Sequence, residues 1–146
     1  MRPLARDAAP AQAPEDPRQL AAQFEFLQRQ LQGVDRRLAQ LEQALVEAQQ
    51  AASTVQGLAE AAGAQDTLLP IGSGVHVHAK VDPSAPVLLP IGAGYFTEGP
   101  AKDIVAALGA RVEAITKSFQ ETSADAERLA QAASAINSRL ESLSPQ

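Results

Sequence analysis

The sequence contains no cysteine and no tryptophan, and aromatic residues make up only 3% of its 146 positions. Without cysteine, the chain has no disulfides, no thiolate metal ligands and no thiol nucleophile. So few aromatic side chains favour long helices with a narrow core over a thick globular core. The formal net charge of -5 argues against a general affinity for nucleic acid or for an anionic membrane surface.

Long apolar runs are missing as well. No segment stays apolar over the roughly 20 residues that a membrane span needs, and the N-terminus lacks the apolar core of a signal peptide. We therefore expect a cytoplasmic protein with no membrane partner.

Residues 1–16 hold Pro3, Pro10 and Pro14 among small and charged residues. This predicts a mobile tail, because the segment offers too little apolar surface to offset the entropy of ordering it. Residues 144–146 form a second, short tail.

An internal repeat lies at the centre of the sequence. Residues 68–74 read Leu-Leu-Pro-Ile-Gly-Ser-Gly, and residues 88–94 read Leu-Leu-Pro-Ile-Gly-Ala-Gly. An apolar run, a Gly-x-Gly and a second extended run are typical of a β-hairpin, and a Gly-Ser or Gly-Ala pair suits a tight turn with positive φ at its first central position. Residues 64–99 are therefore predicted to form two hairpins in tandem. Because an isolated hairpin is marginally stable in water, they need a partner sheet.

Alternation assigns the strand faces in the first hairpin. Valines at positions 75, 77 and 81 alternate with His76, His78 and Lys80, which predicts a strand with one buried side. Pro70 and Pro90 cannot donate a ladder hydrogen bond, so their strands are expected to lie at sheet edges or to begin late.

Two long amphipathic segments flank the hairpins. Residues 17–63 begin after a potential N-cap, Asp16, with Gln19 placed as in a capping box, and Gly63 is positioned to end the helix. Apolar or small residues recur in steps of four and three, which is the heptad pattern of a coiled coil: Leu20, Phe24, Leu27, Leu31, Val34, Leu38, Leu41, Leu45, Ala48, Ala52, Val55, Ala59 and Ala62.

The second helix is predicted over residues 100–143. Its heptad positions are Val105, Leu108, Val112, Ile115, Phe119, Thr122, Ala126, Leu129, Ala133, Ile136, Leu140 and Leu143. Equal lengths around a compact joint predict an antiparallel pair of helices in one chain. Small residues then face large ones in either of two registers, so that Ala52 faces Leu108 or Ile115. The fold class is thus α+β: a long antiparallel two-helix coiled coil joined by two β-hairpins.

This arrangement resembles prefoldin, and the two-hairpin connection is similar to that of its alpha class. The resemblance covers about residues 17–143 and is most specific over residues 69–77 and 87–98. It implies that the hairpins assemble into a β-barrel platform on oligomerisation, in a hexamer with beta-class prefoldin subunits (two alpha and four beta) or with like chains. The hairpin positions that match the assembling strands are Leu68, Leu69, Ile71, Val75, Val77, Val81, Val87, Leu88, Leu89, Ile91, Tyr95 and Phe96.

The resemblance also implies a chaperone that holds non-native proteins without ATP and passes them to a chaperonin. In that family, apolar residues at the coiled-coil tips grip the client. The positions that match the tips are Leu20, Phe24, Leu27, Ile136, Leu140 and Leu143. Phe26 joins them from the residue pattern itself, because it lies outside the heptad positions and an exposed aromatic side chain can contact an apolar partner; a single exposed phenylalanine without a role is equally compatible.

Other functions have weaker support in the sequence. His76 and His78 share a strand face at a spacing used by metal sites, but no third ligand is recognisable, and a polar strand face explains them better. Gly72-x-Gly74 lacks the third glycine and the following helix of a dinucleotide site. We expect no enzyme activity and no cofactor. The alternative to a chaperone is a structural coiled-coil scaffold subunit that binds no client.

Overall fold

In a computed structural model, which describes residues 15–143, one long helix precedes four strands along the chain and a second long helix follows them. The elements are α1 (Pro17–Ala59), β1 (Gln65–Gly72), β2 (Val75–Val81), β3 (Val87–Gly92), β4 (Tyr95–Gly99) and α2 (Ala101–Leu143). The α+β class, with two long helices joined by two hairpins, agrees with the sequence prediction. Of the two expected tails, residues 1–16 and 144–146, all except residues 15 and 16 lie outside the described residues.

The chain divides into two compact units. We call residues 38–121 the central unit, because they lie in the middle of the sequence and include all four strands. The terminal unit combines residues 1–37 with 122–146, and its described part is residues 15–37 and 122–143. Both units contain one segment of each helix.

The first helix begins as predicted but ends early. Asp16 is the N-cap, since its Oδ1 accepts a hydrogen bond from the backbone N–H of Arg18 at 2.9 Å. At the other end, Ala61 N–H donates to the carbonyl of Leu58, three residues back, which tightens the last turn. The helix therefore stops at Ala59 and does not reach Gly63. We call the contact between the heptad positions of the two helices the seam. Ala59 and Ala62 are exposed, so the seam does not extend to these two positions as the heptad pattern predicted.

Seam residues of both helices are withdrawn from solvent in each unit. In the terminal unit, Leu20 and Ala133 are buried. In the central unit, Leu108 belongs to a buried cluster against which Ala52 packs. An alanine packed against this cluster of larger side chains lets the elements approach while the space between them stays filled.

Each hairpin forms its own two-stranded antiparallel sheet, β1 with β2 and β3 with β4. The tight turns differ in one detail from the sequence prediction. Gly72 pairs with Val75, so the central turn residues are Ser73 and Gly74, with φ of 50° and 78°. Positive φ at both positions is the type I′ pattern, whose twist matches that of the strands. Gly72, with φ of 112°, belongs to a bulge before the turn.

The second hairpin packs on the helices of the central unit. Leu89, Ile104 and Leu108 form the buried cluster, with Ala52, Val55 and Val87 packed around it. The Arg111 guanidinium donates a hydrogen bond of 2.6 Å to the carbonyl oxygen of Pro90, which ties α2 to β3 beside the bulge. These contacts fix the face of β3 and β4 that points at the helices.

Candidate assembly and client-binding surfaces

The outward face of the second hairpin is apolar and exposed. Along β3, Leu89 faces the helices, so Leu88 and Pro90 face away, opposite Glu98 and Phe96 of β4. Leu88 is 62% exposed, and Phe96 on the same face is similarly exposed. Ile91 and Tyr95, beside the bulge and the turn, are also exposed. Large apolar side chains grouped this way on a surface are typical of an interaction site.

The first hairpin exposes apolar residues on both faces. Leu69 and Val77 pair across the strands on one face, and Leu68 lies on the other, opposite His78. All three apolar side chains are exposed, as are Ile71 and Val75. Of the twelve predicted assembly residues, only Leu89 is buried, while Val81 and Val87 are half-buried. A two-stranded sheet also leaves the outer edge of each strand without a ladder partner.

The histidine-bearing face of the first hairpin combines polar side chains with Leu68 and Pro70. His76 lies opposite Pro70 and its Nδ1 donates to the carbonyl of Gly74 at 2.9 Å, while Lys80 and Asp66 form an exposed ion pair at 3.9 Å. Within residues 15–143, no group of three or more potential metal-binding side chains occurs. The same residues include no helix long and apolar enough to cross a membrane.

A rigid turn connects the two hairpins. Asp82 Oδ1 accepts hydrogen bonds from the hydroxyl of Ser84 at 2.7 Å and from its backbone N–H at 2.9 Å. The bond from the hydroxyl has the larger effect, followed by the bond from the backbone N–H. Both stabilise the carboxylate and lower the pKa of Asp82 below its ordinary value. Ala85 N–H closes the turn on the carbonyl of Asp82 at 3.1 Å. Two prolines, Pro83 and Pro86, further restrict the backbone here.

The predicted client-binding residues fall into two groups in the terminal unit. Phe26 is 54% exposed and Leu143 is 42% exposed. The other predicted residues lie along the seam, where Leu20 is buried and the rest are half-buried: Phe24, Leu27, Ile136 and Leu140. Glu15 and Arg139 form an ion pair at 2.8 Å, which joins the chain two residues before α1 to the last part of α2.

A further surface feature of the terminal unit was not predicted. Gly33, Val34 and Arg37 of α1 and Asp125, Arg128 and Leu129 of α2 line an open depression of about 500 Å³. The one signal for it in the sequence is Gly33, an unfavourable residue in the interior of a helix.

These features define a class of protein: two long helices joined by two β-hairpins whose strands expose apolar side chains and open edges. The family model described as Prefoldin subunit matches residues 27–146, which is most of the chain. The chain therefore belongs to the prefoldin subunit family, which is a family of chaperone subunits.

Relatives with similar sequences extend over almost the whole chain. Prefoldin subunit alpha of Methanosarcina mazei is 29% identical over 138 residues, covering 92% of this chain and 97% of that protein. Prefoldin subunit alpha of Methanothrix thermoacetophila is 31% identical over 111 residues, covering 75% and 72%. A chain in the cryo-EM structure of filamentous PFD from Methanocaldococcus jannaschii is 21% identical, with coverage of 86% and 93% and a TM-score of 0.42. Both relatives with similar sequences are alpha subunits, in agreement with the class predicted from the two hairpins.

Proposed function

We propose that this chain is the alpha-class subunit of an ATP-independent holdase, which binds non-native proteins through apolar side chains of the terminal unit and delivers them to a chaperonin. The observation that carries the proposal is the exposure of Phe26 and Leu143 in that unit. The apolar hairpin faces belong to the central unit. The chain thus offers separate apolar surfaces for client binding and for assembly.

The half-buried seam residues add to the client surface when the helix ends separate. The Glu15–Arg139 pair is partly exposed on both sides, so it contributes at most about 1 kcal/mol to keeping the ends together. Separation of the helix ends exposes Leu20, Phe24 and Leu140 at the cost of their packing between the helices. Contact with a client offsets that cost, because each side chain buries apolar area against the client at roughly 25 cal/mol per Å². Such contacts are weak one at a time, which suits reversible holding.

Assembly multiplies these weak contacts. We propose that the hairpins join beta-class prefoldin subunits, or like chains, in a β-barrel platform of the kind known for hexamers of two alpha and four beta subunits. The exposed edges and apolar faces of both hairpins support this arrangement. Several terminal units in one assembly then bind one non-native chain with an avidity far above that of a single contact.

Aggregation measurements test the client-binding proposal. A chemically denatured protein is diluted, without nucleotide, into buffer containing the assembled chaperone, and light scattering is followed. We expect the wild-type assembly to suppress scattering and the double variant Phe26→Asp/Leu143→Asp to lose most of this effect while its oligomer mass is unchanged. Val46→Asp is the matched control, because Val46 is also an exposed apolar residue of α1 but lies in the central unit. Full protection by the double variant would contradict the proposal.

The second candidate is a scaffold subunit without clients. The burial of Leu20 favours it, because that predicted client residue is unavailable while the seam stays closed. A stable oligomer that leaves scattering unchanged would establish the scaffold and remove the holdase.

A further inference from the structure

The depression at Gly33 lies entirely in the terminal unit. Val34 and Leu129 contribute apolar side chains to its lining, and both are half-buried heptad residues. Arg37, Arg128 and Asp125 contribute charged groups to the same lining. Its volume of about 500 Å³ and its open form are enough to admit a large side chain of another polypeptide.

Nothing within the chain itself requires a glycine at position 33. A Cβ built on Gly33 would meet no atom within 4 Å, and its φ is not in the positive range. A glycine inside a helix costs about 1 kcal/mol relative to alanine. The chain therefore carries a destabilising residue at a point where the missing side chain leaves space beside the apolar lining residues.

The charges around the depression are unbalanced. Arg128 forms an ion pair with Asp125, whereas Arg37 has no acidic partner among the residues that the structure describes. The described part of the terminal unit carries seven acidic and six basic side chains, and all six basic ones are arginines. The central unit carries nine acidic and four basic side chains. An acidic segment is therefore repelled less by the terminal unit than by the central unit, and Arg37 offers it a bidentate partner.

We propose that this depression is a client subsite that takes an apolar side chain flanked by a carboxylate. The apolar side chain enters above Gly33 and covers Val34 and Leu129, while the neighbouring carboxylate of the client pairs with Arg37. The inference rests on the proposed holdase function and adds a preference to it: among non-native segments of equal apolarity, those with acidic neighbours bind more tightly.

Binding of two short, unstructured, fluorescein-labelled peptides tests the subsite. Both have a Gly/Ser background, and their centres read Phe-Glu-Leu or Phe-Gln-Leu. By fluorescence anisotropy on the wild-type assembly, we expect the acidic peptide to bind about threefold more tightly, which is the size of one exposed ion pair. This preference should disappear in 0.5 M salt because the pair is at the surface.

Two variants separate the apolar part from the charged part. Gly33→Leu fills the depression with a good helix former and should weaken both peptides at least fivefold, whereas Gly109→Leu, at another helical glycine with open space, should bind like wild type. Arg37→Gln should keep the Gln peptide's affinity and remove the preference for the Glu peptide. Wild-type affinity in Gly33→Leu, or a retained preference in Arg37→Gln, would overturn the proposal.

Oligomer mass and aggregation measured on the same samples distinguish the remaining outcomes. A changed mass for Gly33→Leu would make the depression a contact between subunits and would overturn the subsite. If the wild-type assembly suppresses aggregation but binds neither peptide, the subsite fails and the holdase stands. If it also fails to suppress aggregation, the proposed function fails with it.

Discussion

At the scale of single residues, the hairpin turns concentrate backbone strain. Each turn contains three consecutive residues with positive φ, and the middle one is Ser73 or Ala93, both at 50°. The left-handed region costs a residue with a Cβ roughly 1–2 kcal/mol. Alanine lacks even the side-chain hydrogen bond by which polar residues reduce this cost. Ala93 is therefore the most strained position in the second hairpin.

Replacing Ala93 with glycine should relieve this strain. We expect Ala93→Gly to stabilise the protein by about 1 kcal/mol, since glycine adopts positive φ freely. The midpoint of thermal unfolding, followed by circular dichroism at a fixed protein concentration, should rise. Ala85→Gly is the control, because Ala85 also lies in a turn but has no positive φ, and its midpoint should fall. A lower midpoint for Ala93→Gly would show that the turn is not strained.

The sequence located these turns to within one residue. Gly-x-Gly supplies two glycines, so either Gly72-Ser73 or Ser73-Gly74 satisfies the need for positive φ, and only the pairing of Gly72 with Val75 decides between them. The candidate client site shows a similar limit. An apolar residue at a heptad position, such as Leu20, is suited both to packing between the helices and to contact with a client. The heptad pattern alone therefore does not say whether the side chain is accessible to a client.

At the scale of elements, the two hairpins have the same sequence motif but different surroundings. Leu69 and Leu89 are equivalent in the repeat, yet Leu69 is 52% exposed and Leu89 is 7% exposed. The links to the helices explain the difference. Only Pro100 separates β4 from α2, whereas residues 60–64 separate α1 from β1. The short link holds the second hairpin against Ile104, and the sequence repeat by itself does not contain that information.

This difference in burial predicts that the same substitution affects stability at Leu89 and assembly at Leu69. Leu89→Ala removes side-chain packing from the buried cluster and should destabilise the chain by about 2 kcal/mol or more. Leu69→Ala should change the stability of the chain by less than about 0.5 kcal/mol, because the side chain is largely exposed, and should weaken assembly instead. Urea unfolding followed by circular dichroism in dilute samples measures the first effect, and mass photometry measures the second. Equal urea midpoints for the two variants would contradict the packing of the second hairpin on the helices.

At the scale of the whole molecule, assembly is expected to depend on the outward hairpin faces and not on the helices' exposed residues. Leu88 points away from the helices, so Leu88→Asp places a charge where another subunit is proposed to pack. Helicity should be retained, because Leu89 on the opposite face still holds the hairpin to Ile104 and Leu108. The oligomer should dissociate in size-exclusion chromatography with light scattering, while the ellipticity at 222 nm stays close to that of wild type.

The same charge placed on a helix provides the comparison. Val46 is 44% exposed on α1 in the same unit as Leu88, so Val46→Asp introduces an equal charge change without touching a strand. Its oligomer mass should equal that of wild type. If Leu88→Asp also keeps the full mass, the outward face of the second hairpin is not an assembly surface, and the contacts between subunits must then come from the first hairpin, where Leu68 and Leu69 expose apolar groups on both faces.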